Sequence, residues 1–439
     1  MGLSYQPTRL NDEILIFYQF SSLSFLYLCR SKKSDMIERK TYLRQLIQLK
    51  NEHLIKVVTG IRRCGKSTLM LQFQDWLKAS GVKPESIVSI NFEERENAVF
   101  EDWEAVYDHI IGILPSTGIR YVFLDEVQAV PSFVKLIDAL FVKTDIDLYV
   151  TGSNAYLLSS ELGTLLSGRY IAINMHPFSF SEYVSAFPDV SNTDRLFRQY
   201  MNSSSFPQAV NMQKTARDAV NAYLKSLYDT VIVKDIVQRR HLRKFDTLQH
   251  VVDFLFDSVG SVVSPNNITE KLRKYSAEKL SHNTVQKYLR FFTESYLIYP
   301  VRLYNIKGKR LLESNYKYYV VDLGLRNILQ SNTPYTDLGH KLENVVYFEL
   351  LRRGGEVFAG RSQNGEVDFV VQKPGNVTEY YQVAYSVNDE KTLFRELSSL
   401  REIRDSHPKI LLTMDFDNTN IDGVQKINVV DWLLKGSID

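Results

Sequence analysis

The sequence holds only two cysteines in 439 residues, Cys29 and Cys64, too few for a disulfide framework or a cysteine metal site. Charge of either sign is barely in excess, with 53 Lys and Arg against 51 Asp and Glu and a formal net charge of +2. A chain so balanced is not a globally basic nucleic-acid binder, and any such surface must be local. Long apolar runs are lacking too. Glu13 to Cys29, EILIFYQFSSLSFLYLC, is short for a membrane span, broken by serines, and without a basic leader or small-residue cleavage site. Residues 1–35 are expected to be a non-native extension, with a docked arm and a membrane-associated segment as the alternatives. Met36 then opens an amphipathic helical pattern, MIERKTYLRQLIQLK. The composition fits a soluble, cytoplasmic enzyme of about three domains.

What is present starts at Val57–Phe73, VVTGIRRCGKSTLMLQF. Gly60, Gly65, Lys66 and Ser67 fit G-x-x-x-x-G-K-[ST], preceded by a strand-like run and followed by a helical one. A loop closing onto a helix N-terminus aims successive backbone N–H groups inward, so Gly60, Ile61, Arg62, Arg63, Cys64, Gly65, Lys66, Ser67 and Thr68 form a cradle for ATP phosphates. Lys66 is expected on the β- and γ-phosphates and the Ser67 hydroxyl on Mg²⁺. A second acidic strand, YVFLDEVQ, is unbroken in its apolar part and reads as a central parallel strand. It delivers Asp125 to the Mg²⁺ shell and Glu126 to the attacking water.

Strand-like and helix-like segments alternate onward to DLYVTGSN, predicting a parallel sheet with helices on both faces. The GIRRCGKST loop, FLDEVQ, TGSNAYLLSSELGTLLSGRY and MHPFSFSEY together resemble the AAA+ ATPase domain of a widespread prokaryotic family that carries a C-terminal domain of unknown function. The resemblance implies a P-loop AAA+ α/β fold, ATP and Mg²⁺ binding, and hydrolysis. It also implies Ser153 or Asn154 as a sensor of the γ-phosphate, and Arg169 as an arginine stabilising phosphate charge, from a neighbouring copy if the chain self-associates. A structural salt bridge is the alternative for Arg169. The nucleotide domain is expected over 36–207.

A helical and winged-helix domain is expected over 208–330. Three helical patterns are followed by two strand-like ones, an order that resembles a winged helix. Ser281 should cap the third helix, with Val285, Leu289 and Phe292 buried and His282, Asn283, Gln286, Lys287 and Arg290 turned outward, side chains of the kind that read bases and phosphates. Between Arg239 and Arg310, fourteen basic residues face six acidic ones, a local excess that the whole-chain balance hides. A protein-docking role is the alternative for such a module.

Residues 331–439 resemble a restriction-endonuclease-like core of the PD-(D/E)xK type. By position Glu343, Asp368 and Gln382 are its metal-site residues, with Glu366 as a substitute ligand. The triplet here is QVA, so Ala384 stands where a lysine belongs. The acids are expected to remain able to hold a metal cation but to lack the cation that steadies a scissile phosphate, and the core is expected to be degenerate. The sequence thus reads as an ATPase acting through this module on DNA, or, alternatively, as a slow ATP-dependent switch that docks a protein partner.

Overall fold

The computed structural model describes residues 36–435, apart from 95–96, 98–99, 101, 156–165, 167, 239, 241, 243–244, 274–280, 331–336 and 363–364. The expectations for residues 1–35 lie outside these. The described residues from Arg39 onward form one compact unit. Among the described residues no helix is long and apolar enough to cross a membrane.

Helix α1 (Lys40–Gln48) leads into an alternating run: β1 (Ile55–Thr59), α2 (Lys66–Ala79), β2 (Ile87–Asn91), α3 (Trp103–Ile113), β3 (Arg120–Asp125), α4 (Phe133–Phe141), β4 (Ile146–Gly152) and β5 (Tyr170–Asn174). The five strands pair in the order β2-β3-β4-β1-β5, and every pair is parallel. This is the P-loop α/β architecture expected from the alternation. β1, β3 and β4 are buried along their whole length, as unbroken apolar runs must be when helices cover both faces. β5 is the strand the pattern hides. It lies at the sheet edge with only Ile173 fully buried, so little of its sequence carries a core signal.

The chain continues through helices α5 (Phe180–Ser185), α6 (Thr193–Asn202), α7 (Pro207–Thr215) and α8 (Val220–Thr230), a π-helical stretch Val231–Gln238, and α9 (Phe245–Asp257). Then come β6 (Val262–Val263), α10 (Pro265–Arg273), α11 (His282–Glu294) and the hairpin β7 (Ile298–Asn305) and β8 (Arg310–Val320). β6 pairs antiparallel with β8. The Ser281 hydroxyl accepts from the Thr284 N–H at 3.1 Å and caps α11. Val285, Leu289 and Phe292 are buried, and Asn283, Gln286, Lys287 and Arg290 are exposed. His282 departs from the expectation: it is half-buried, and its Nδ1 is buried with no hydrogen-bond partner among the described residues.

The last part holds α12 (Leu323–Leu329), α13 (Leu338–Arg352), β9 (Glu356–Arg361), β10 (Glu366–Lys373), β11 (Val377–Val383), α14 (Glu390–Arg401), β12 (Lys409–Thr413), β13 (Thr419–Ile421), β14 (Val424–Asn428) and α15 (Val429–Lys435). β7 pairs in parallel with β9 over Leu303–Asn305. One nine-stranded sheet, ordered β13-β14-β12-β11-β10-β9-β7-β8-β6, therefore crosses residue 330.

Candidate functional site

The carboxyl ends of β1, β3 and β4 meet at one edge of the parallel sheet, where open α/β sheets hold ligands. From β1 the chain turns through Gly60–Gly65 into α2. Gly60 has φ +150, and a Cβ there would lie 2.1 Å from the Met175 carbonyl oxygen, so only glycine lets the loop pass under β5. Ile61 and Cys64 point inward and are fully buried, while Arg63 is exposed with φ +64. Gly65 precedes α2 with no side-chain cap, which leaves the first N–H groups of the helix, at Lys66, Ser67 and Thr68, open to an anion. Burial pushes the Cys64 thiol up, so this cysteine is inert packing beneath the loop.

The Lys66 ammonium donates to the Gly60 carbonyl at 3.1 Å and pairs with Glu126 at 3.3 Å. Burial opposes both charges, yet each prevails: Lys66 is raised by Glu126, and Glu126 is lowered by Lys66. Glu126 also accepts from Gln128 and holds a left-handed backbone, φ +53, a conformation uncommon outside glycine. Asp125 is raised by burial, against hydrogen bonds from Ser67 and Thr151 that favour its ionised form. Ser67 and Asp125 thus already meet, and two such oxygen donors side by side suit a hard cation such as Mg²⁺.

Thr151, at the end of the fourth strand, has a role that sequence reasoning did not assign. β4 lies between β1 and β3, and the fully buried Thr151 hydroxyl accepts the Glu126 N–H at 2.9 Å while donating to Asp125. Arg39 has another such role. Its guanidinium is buried and donates to the Cys64 carbonyl at 2.8 Å, the His176 carbonyl at 2.6 Å and Glu182 at 2.8 Å, bracing the loop from below. A lone arginine before the first apolar pattern gives no sequence signal of such a role.

Ser153 and Asn154 come directly after Gly152 and are buried; the Ser153 hydroxyl has no hydrogen-bond partner among the described residues. Arg169 is not brought to this edge. It precedes β5, its carbonyl accepts the Ile55 N–H at 2.8 Å, and so it lies at the amino ends of the strands, roughly 15 Å from the loop of its own chain. It is half-exposed and pairs with Asp138 at 2.9 Å.

Three contacts join the loop edge to elements beyond the parallel sheet. Arg62 pairs with Asp235 of the π-helical stretch at 2.9 Å and with Glu93 at 2.6 Å. The Ala155 N–H donates to the Glu294 carbonyl at the end of α11, at 2.8 Å. Tyr296, just after α11, is hydrogen-bonded to Thr59 at the end of β1.

In the C-terminal part, Glu343 on α13 and Asp368 on β10 do come together, and a cation lies between them. The Lys317 ammonium, from β8, pairs with Glu343 at 2.8 Å, with Glu366, and with Asp368 at 3.5 Å. The triplet itself holds no lysine, as Ala384 implies, but a lysine reaches the acids from another strand. Burial and then the charge of Glu343 push Asp368 up to about 8. Gln382 is occupied, its carbonyl accepting the Asp368 N–H at 3.3 Å and its amide donating to Glu396 at 2.8 Å. Among the described residues no group of three or more His, Cys, Asp or Glu is arranged to hold a metal ion, and the place between these acids is taken by the Lys317 ammonium.

Against known proteins, residues 52–184 match the model of an AAA domain, and residues 194–336 that of a domain of unknown function, DUF8612. A Haemophilus influenzae protein described only as uncharacterized is 37% identical over 407 residues, spanning 91% of this chain and 99% of its own. One from Methanocaldococcus jannaschii is 26% identical, spanning 91% and 89%. Among solved structures, a Walker-type ATPase of Pyrococcus abyssi overlays with TM-score 0.45 and 15% identity, over 68% of this chain and 97% of that one. With the phosphate loop, Asp125 and Glu126 converging within its AAA domain, the chain belongs to the family of the Haemophilus influenzae protein.

Proposed function

We propose that this protein hydrolyses ATP with Mg²⁺ and uses the nucleotide cycle to move a winged-helix module on DNA. The observation that carries the reading is the meeting of Lys66, Glu126, Asp125 and Ser67 at one sheet edge, with α11 tied to that edge through Ala155 and Tyr296. Phosphate oxygens would take the Lys66 ammonium and the open N–H groups of α2. Ser67 and Asp125 would hold Mg²⁺, which neutralises charge on the phosphates when bound. Drawing Lys66 onto phosphate weakens its pairing with Glu126, and the freed carboxylate can then accept a proton from the attacking water. Arg169 is proposed to act on the nucleotide of a neighbouring copy.

The order α9-β6-α10-α11-β7-β8, with β6 paired to β8, supports the winged-helix reading. The exposed Asn283, Gln286, Lys287 and Arg290 supply the hydrogen-bonding and cationic groups a duplex requires.

Lys66→Ala and Glu126→Gln test the site. The first should lose ATP by calorimetry; the second should keep ATP bound while turnover collapses, and wild-type turnover in it would remove Glu126 from the mechanism. DNA affinity that falls with salt and changes between ATP and ADP supports the coupling. ATP-dependent capture of a protein with no effect on DNA would replace it with a docking switch.

A further inference from the structure

The C-terminal acids carry a conclusion independent of the ATPase reading. We propose that Lys317 is the resident cation of the nuclease-like core, standing among Glu343, Glu366 and Asp368 where a divalent metal would stand, and making the core a structural joint.

An ammonium has three N–H donors and no acceptor. Lys317 directs them at three carboxylates, those of Glu343, Glu366 and Asp368. None remains for a scissile phosphate, the task a lysine performs in a cleaving core.

Glu343 and Asp368 carry further bonds. Tyr319 donates its hydroxyl to the same Glu343 oxygen at 2.5 Å, and the Val383 N–H donates to the second Asp368 oxygen at 2.8 Å. A metal inserted here would have to displace these bonds and lie beside a buried positive charge. The usual lysine position offers no alternative, because Ala384 belongs to an apolar cluster with Val367, Val370 and Leu411.

What the arrangement does is mechanical. Lys317 sits on β8, whereas Glu343 lies on α13 and Asp368 on β10. Among the described residues, the only strand pairing between the hairpin and the C-terminal strands runs over Leu303–Asn305. The ion cluster adds to that pairing and to the two hydrogen bonds between Asn344 on α13 and Val320 on β8, so the hairpin and the C-terminal core move as one piece.

The test uses the full chain, free of nucleotide, and Mn²⁺ as the probe, monitored by electron paramagnetic resonance and thermal unfolding. Wild type and Asp368→Asn should show the same Mn²⁺ binding. Lys317→Ala should unfold several degrees lower, gain one Mn²⁺ per chain and recover stability with it; the Lys317→Ala/Asp368→Asn double variant should gain none. A wild-type Mn²⁺ site that Asp368→Asn abolishes, or Mg²⁺-dependent plasmid cutting lost in Asp368→Asn, would overturn the proposal. So would a folded Lys317→Ala that takes up no Mn²⁺. Should that variant fail to fold, the comparison of wild type with Asp368→Asn decides alone.

Discussion

Thr151→Val is the sharpest probe of the nucleotide site, because it removes one hydroxyl and keeps the shape of the side chain. In the wild type that hydroxyl satisfies the buried Glu126 N–H at 2.9 Å and donates to Asp125. Its removal causes two losses. An N–H left buried without an acceptor costs about 1–3 kcal/mol of stability. Asp125, already raised by burial, keeps only the Ser67 bond of the two that favour its charged form, so its pKa rises further and it holds a cation less well. Losing a partner of this kind typically costs roughly 10–100-fold in metal affinity or activity. Hydrolysis by Thr151→Val should therefore fall by that order, need more Mg²⁺ for half-maximal rate, and show its acid limb displaced to higher pH. Raising pH ionises Asp125 and should restore part of the rate. Thr151→Ser, which returns the hydroxyl, should return both Mg²⁺ dependence and pH profile. A Thr151→Val enzyme with wild-type Mg²⁺ dependence and pH profile would refute the reasoning, whatever its stability.

Arg169→Ala should bind ATP normally but lose any rise in specific activity with protein concentration; flat activity and a monomer in the wild type would leave Arg169 only its pairing with Asp138. Lys56 and Asp147 form a buried pair at 2.5 Å between β1 and β4, so Lys56→Met, which strands the carboxylate, should cost about 3–5 kcal/mol in unfolding experiments; a loss under about 1 kcal/mol would mean Asp147 is held by its other partners. Asp368, at about 8 in the fold against an ordinary 3.8, keeps a proton that the unfolded chain has released. Its contribution is therefore fully favourable below pH 3.8 and is lost as pH rises to about 8, with a slope of up to about 1.4 kcal/mol per pH unit. Asp368→Asn should flatten that slope in urea unfolding, and an unchanged slope would assign it to other groups.

The nucleotide half was legible because its signals are local. Gly60, Gly65 and Lys66 are set by loop geometry within one short segment, and the apolar runs of β1, β3 and β4 are a direct result of burial on both faces. β5 was not legible, since an edge strand buries little. Thr151 and Arg39 were illegible for another reason. Each acts on backbone or carboxylate groups far away in the chain, Thr151 on Asp125 and Glu126, Arg39 on Cys64, His176 and Glu182. Only the strand order, which sets β4 between β1 and β3, brings Thr151 to its partners.

The C-terminal core shows the same limit more sharply. A motif names residues by spacing along one stretch of chain, and by spacing the lysine of this core is missing, with Ala384 in its place. Charge obeys no such spacing. Acid side chains as deeply buried as Glu343 and Asp368 need hydrogen-bonding or cationic partners wherever the fold can supply them. Here the cation comes from β8, in the hairpin that the sequence assigns to a different domain. That assignment itself comes from reading strands locally, whereas the pairing of β7 with β9 joins the two parts into one sheet. Once the sheet is continuous, a lysine on β8 can reach an aspartate 51 residues later. The buried acids of this core thus grip the neighbouring hairpin through a lysine that no local motif names.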